Sequence, residues 1–240
     1  MLDYAHLKRN SRKFLALTGL TVKEFKAVLP AFIKAYQAKY AGDKTLVKRK
    51  RKRQIGGGRI GHLKTAEQKL LFILVHQKTY PLQVVLGELF GLSQSSANEW
   101  IHRLLPILRE ALIMIGVMPE RDGRKFAQSE RNQHESADYI IDGTERRRQR
   151  PQKPEKQALH YSGKKKMHTD KNVIIAQTRS KRVGYLSRTE AGKTHDKKVA
   201  DRARIAYPRI ATLHKDTGFQ GYEPNIKHSY QPKKSQGAKN

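Results

Sequence analysis

At 240 residues, with 37% hydrophobic side chains, the chain can bury the core of one large domain or two small ones and is no disordered tail. Lys and Arg number 50 against 21 Asp and Glu, a net charge of +29 that repels itself in a compact chain unless a polyanion compensates it, so nucleic acid is the expected partner. The absence of cysteine excludes disulfides and thiolate zinc sites, and with no apolar run near the roughly 20 residues that span a bilayer, a soluble, cytoplasmic and nucleoid-associated protein is expected.

In chain order, the first segment is helical. Apolar residues from Phe14 through Leu17, Phe25, Val28, Phe32 and Tyr36 recur at three and four, with Thr21 as a predicted N-cap. The helical region is placed at 1–43. A basic segment follows at 44–64, with consecutive cations from Lys48 to Arg53 and glycines at 56 to 58; it reads either as a phosphate-binding arm or as a solvated charged linker.

The third segment, 65–117, opens with Thr65 ahead of the apolar run "KLLFILVHQ" and breaks around Lys78 to Pro81. The pattern then predicts a short helix from Leu82 to Phe90, a tight turn at Gly91-Leu92-Ser93 and a longer helix beginning near Ser93. That is the layout of a helix-turn-helix, whose second helix enters the major groove by its first turns. Gln94, Ser95, Ser96 and Asn98, with Glu99 beside them, offer short polar groups to base edges, while Trp100, Leu104 and Leu105 are expected to face the core. An ordinary helical hairpin with a solvated polar face fits the same pattern.

From about Ser136 the periodicity changes to short strands. "ADYIIDG", "ALHYSGKKKMHT", "NVIIAQT" and "RVGYLSRT" read as strands or hairpin arms, "HDKKVADRARIAYPRI" as a helix ended by Pro208, and "ATLHKDTGFQG" as a strand running into a turn. The expected class is α+β: an all-α N-terminal region with a helix-turn-helix, followed by an α/β mixed-sheet domain at 136–240.

Asp142 and Asp216 each end an apolar strand in this reading, just before a glycine-containing turn. Asp before Gly often marks a turn and nothing more. Held side by side, however, two carboxylates stay ionised most readily around a divalent cation, and hard oxygen ligands select Mg²⁺ or Mn²⁺. Two such ions about 4 Å apart polarise a phosphodiester, activate the nucleophile and stabilise the leaving oxygen. Lys164, Lys165 and Lys166 at a hairpin tip, and Arg146, Arg147 and Arg148 after Asp142, are candidate contacts to the DNA backbone.

Residues 65 to 230 resemble an insertion-sequence transposase of the DDE superfamily, the type with an N-terminal helix-turn-helix and an RNase H-like endonuclease domain. The resemblance is carried by "IIDGTE" at 140–145, "HYSGKKKMHTDKNVI" at 160–174, "RTEAGKTHD" at 188–196 and "KDTGFQGY" at 215–222. It implies that Asp142 is the first catalytic acid and metal ligand, Asp216 the second, and that the partners are the element's terminal inverted repeats and target DNA, with a homodimer as a possible assembly. His195 and Asp196 fall in one of these blocks and are read as a helix start. The family's third acid is a glutamate on a helix downstream of Asp216, where this sequence offers only Glu223, in a turn. The expectation is therefore a truncated RNase H-like domain, from an interrupted copy, a frame completed by frameshifting or a fragment used for binding, that is inactive alone. A non-catalytic DNA-binding protein or repressor of transposase descent is the rival reading, and a nuclease without site choice a third.

Overall fold

The computed structural model describes residues 1–40, 61–128 and 138–232. The basic run at Lys48 to Arg53 lies outside them. The chain divides into two compact units, Met1–Val117 and Met118–Asn240.

The first unit is helical, and every helix but α5 begins where the sequence supplies a side-chain cap. Asp3 caps α1 (Tyr4–Leu7), and Asn10 caps α2 (Ser11–Thr18), which Gly19 ends in the left-handed region. Thr21 and Glu24 form a reciprocal capping box at the start of α3 (Val22–Tyr40): the Glu24 carboxylate accepts from the Thr21 amide at 2.7 Å, and the Glu24 amide donates to the Thr21 hydroxyl at 3.2 Å. Thr65 caps α4 (Ala66–Thr79), where Leu70 to Val75 are buried all round, so this helix runs through the middle of the core. Helices α5 (Gln83–Phe90) and α6 (Gln94–Met114) complete the unit. Phe14, Phe25, Phe32, Phe72 and Phe90 are fully enclosed in one cluster that draws on every helix. The Gln68 side chain stitches the N-terminus to α4, accepting from the Tyr4 amide at 3.1 Å and donating to the Leu2 carbonyl at 2.6 Å.

The second unit is a mixed sheet. Its strands are β1 (Asp138–Arg147), β2 (Tyr161–Ser162), β3 (Met167–Gln177), β4 (Val183–Leu186), β5 (Glu190–Ala191), β6 (Thr212–Lys215) and β7 (His228–Tyr230), in the order β2-β3-β1-β6-β7, with β4 and β5 also paired to β3. β1 runs antiparallel to β3 and parallel to β6, and β6 parallel to β7. Helices α7 (Pro154–His160) and α8 (Asp196–Ala203) and a 3₁₀ turn at Gly123–Gln128 accompany it. Tyr139, Ile141, Val173, Ile175 and Leu213 bury one face with Val199 and Ala200 of α8, and Phe126 lies edge-on to Tyr139, Tyr185 and Tyr207. Burial pushes the Tyr185 phenol up to about 12.

The class is α+β, as the sequence led one to expect, with differences in detail. "ALH" does not form a hairpin arm: Pro154 starts a helix that runs to His160, leaving only Tyr161 and Ser162 to pair with β3. The helix read as running to Pro208 stops at Ala203, because Arg204 turns into the left-handed region. Trp100 and Leu105 are half-buried against the core and Leu104 is buried in it, as expected, with the Lys69 ammonium and the Arg103 guanidinium over the Trp100 ring. No helix among the described residues is long and apolar enough to cross a membrane.

Candidate functional site

Asp142 does not stand at the tip of a strand. β1 continues to Arg147, so the Asp-Gly pair is not a turn. Gly143 is needed for another reason: a β-carbon there would lie 2.5 Å from Asp196 Oδ1, so the glycine marks a close approach. Asp216 does end its strand, capping the short 3₁₀ turn Thr217–Phe219.

The parallel register brings the two aspartates together. Ile141 lies opposite Lys215, so one residue on, where β6 ends, Asp142 comes level with Asp216 on the neighbouring strand. Neighbouring strands are about 4.8 Å apart, which puts both carboxylates at the C-terminal edge of the parallel β1–β6 pairing, in the interior of the sheet. Each carboxylate is held by a glycine amide: Gly143 N–H donates to Asp142 Oδ1 at 2.8 Å and Gly218 N–H to Asp216 Oδ1 at 2.9 Å. Among the described residues, each keeps its second oxygen free of hydrogen bonds and ion pairs, and both aspartates are exposed. Two hard oxygen donors, preset by backbone amides and open to solvent, suit a divalent cation. Among the described residues, no group of three or more His, Cys, Asp or Glu is arranged to hold a metal ion.

Beneath this edge is a charged chain, buried at Glu145 and Lys171 and half-buried at Asp196. Lys171 lies opposite Glu145 in the β1–β3 register and reaches its Oε1 at 3.2 Å, while the same ammonium is 3.1 Å from Asp196 Oδ1. Burial by itself would raise the Glu145 pKa, but hydrogen bonds from Ser162, Lys171 and Thr169 and the charge of Lys171 outweigh it and hold the carboxyl below its ordinary value. Glu145 is therefore a strand residue with its own partner and does not share a turn with Asp142. Sequence reasoning had no signal for the Lys171 link, because strand register is invisible in a single sequence.

The candidate DNA contacts are unequally free. Gln94 and Ser95 are exposed on the first turn of α6. Ser93 caps that helix through the Ser96 amide at 3.2 Å and meets the Ser96 hydroxyl at 3.1 Å, and Asn98 accepts from Gln83 at 3.0 Å, tying α6 to α5. The turn before α6 has Gly91 in the left-handed region, and a β-carbon on Gly87 would strike the Leu92 carbonyl oxygen at 2.5 Å. Lys164, Lys165 and Lys166 are all exposed in the β2–β3 turn. Arg146 donates to Asn172 at 2.8 Å, Arg147 is exposed, and Arg148 is committed to Asp170 at 2.8 Å beside His160. Arg148 lines a cavity of about 750 Å³ with Lys193, His195, Lys198 and Arg202.

Residues 61–112 match the family model described as the helix-turn-helix of DDE superfamily endonucleases, and residues 141–239 match the model described as DDE superfamily endonuclease. No curated protein and no solved structure matches the chain.

Proposed function

From the premise that the chain belongs to the DDE superfamily of endonucleases and carries that superfamily's helix-turn-helix, we propose that it is an insertion-sequence transposase acting on DNA at the ends of its element. The observation that carries this is the parallel register of β1 and β6, which ends with Ile141 opposite Lys215 and so brings the next residues, Asp142 and Asp216, level, each carboxylate preset by a glycine amide and, among the described residues, each with an oxygen to spare.

In this reading the second unit is an RNase H-like endonuclease domain, and Asp142 and Asp216 would hold Mg²⁺ or Mn²⁺. When bound, the cation polarises the scissile phosphodiester and lowers the pKa of the attacking water or hydroxyl. The protein's own groups position the DNA: Lys164, Lys165, Lys166, Arg146 and Arg147 hold phosphates, with Arg148 held back by Asp170, while Gln94 and Ser95 present donors and acceptors to base edges, supported by Ser96 and Asn98. Both units are read as acting on DNA, and the net charge of +29 supports reading the protein as nucleoid-associated.

A DNA-binding protein without catalysis is the second reading. It is favoured by the lack, among the described residues, of a third carboxylate free to join the pair, since Asp196 is tied to Lys171. The two separate in a nicking assay on supercoiled DNA carrying the element ends with Mg²⁺. Slow nicking abolished by Asp142→Asn and by Asp216→Asn, with DNA binding intact, supports the transposase; nicking indifferent to both substitutions sinks it. Full binding with no nicking by the wild type leaves the repressor.

A further inference from the structure

We propose that Asp196 is a positioning residue of this site, a single half-buried carboxylate wedged against the two glycines whose amides hold Asp142 and Asp216. The inference rests on the reading of those two aspartates as cation ligands.

The geometry is specific. A β-carbon built on Gly143 would stand 2.5 Å from Asp196 Oδ1, and one built on Gly218 would stand 3.1 Å from Asp196 Oδ2. The carboxylate of Asp196 therefore packs against both glycines, with Oδ1 and Oδ2 in the space a side chain at Gly143 would need and Oδ2 also close to Gly218. These are the same two glycines whose N–H groups donate to Asp142 Oδ1 and Asp216 Oδ1. A displacement of the Asp196 carboxylate is transmitted through them to both ligands.

Asp196 is itself fixed from two sides. It opens α8, whose Val199 and Ala200 are buried against the sheet. Its Oδ1 is buried and takes no well-aligned hydrogen bond among the described residues, and its charge is balanced by the Lys171 ammonium at 3.1 Å. Lys171 is 8% exposed, and its second partner Glu145, also 8% exposed, accepts from Thr169 at 3.1 Å. A buried cation between two carboxylates holds its place because leaving either one unpaired in the interior is costly. The chain Glu145, Lys171, Asp196 thus runs from the β1–β3 pair to the backbone that orients the ligands. Outer-shell groups of this kind change metal affinity by about 10- to 100-fold when removed.

The test uses the full chain with Mn²⁺ alone as probe. Asp196→Asn should shift the ¹⁵N-glycine signals of Gly143 and Gly218, speed their amide exchange and weaken Mn²⁺ binding at least about tenfold, with the far-UV circular dichroism unchanged. Glu145→Gln removes the other carboxylate from Lys171 without touching either glycine and should cost much less affinity. Unmoved glycine signals, or equal losses in the two variants, overturn the brace. Should Asp196→Asn not fold, Gly143→Ala presses on the same carboxylate from the opposite side. It should weaken Mn²⁺ binding in the wild type but not in Asp196→Ala, and equal losses in both backgrounds also overturn it. Mn²⁺ binding indifferent to Asp142→Asn removes the cation reading instead, while the glycine signals still decide whether Asp196 is coupled to the two aspartates.

Discussion

Glycine has two different meanings in this chain, and the residue after Asp142 shows both. Asp-Gly in sequence signals a turn; in the fold it is an extended pair in mid-strand, with the missing β-carbon making room for Asp196. Gly87 plays a comparable part in the helix-turn-helix, where a β-carbon would meet the Leu92 carbonyl, a backbone atom that cannot swing away. Gly87→Ala is therefore expected to destabilise the helical unit by about 1–3 kcal/mol, seen as a lowered thermal midpoint with the helical circular dichroism retained below it. His76 supplies a prediction of another kind. It is buried with no hydrogen-bond partner for Nδ1 among the described residues, and burial holds its pKa below the ordinary 6.5. On acidification the unfolded chain takes up the proton first, so the neutral form's contribution to stability is present above about pH 6.5 and lost as pH falls below it. Chemical denaturation at about pH 7.5 and about pH 5.5 should show that loss, and His76→Gln should reduce it.

Helix limits were largely legible because caps are local: Thr21, Thr65 and Ser93 each announce a helix by side-chain chemistry that acts over three residues. Strand limits were not, since they depend on pairing with residues far away. β1 runs on to Arg147 because β3 continues opposite it to Thr169, and nothing in "DGTERR" states that. For the same reason both aspartates could be singled out, whereas Lys171, which reads as one more cation in a basic run, could not. At the element scale the two proposed DNA surfaces separate by experiment. Replacing Gln94 on α6 should lower discrimination against wrong bases by about 1–3 kcal/mol, measured by competition between sequences. Replacing Lys164, Lys165 and Lys166 together should weaken binding to all sequences alike and flatten the salt dependence by about three units of slope.

For the whole molecule, the charge of +29 ensures attraction to any polyanion, and it says nothing about chemistry. What turns a basic α+β chain into a candidate enzyme is the C-terminal edge of the β1–β6 pairing, where two parallel strands present Asp142 and Asp216 level with each other, backed by the charged chain through Asp196. Fe²⁺, a divalent ion that cuts nearby polypeptide when supplied with ascorbate and peroxide, locates such a site directly. Cleavage of the full chain is expected at two places, near Asp142 and near Asp216, with both cuts lost together in Asp142→Asn and suppressed by excess Mg²⁺. Cuts elsewhere, or cuts that survive Asp142→Asn, would contradict a shared cation site at this edge.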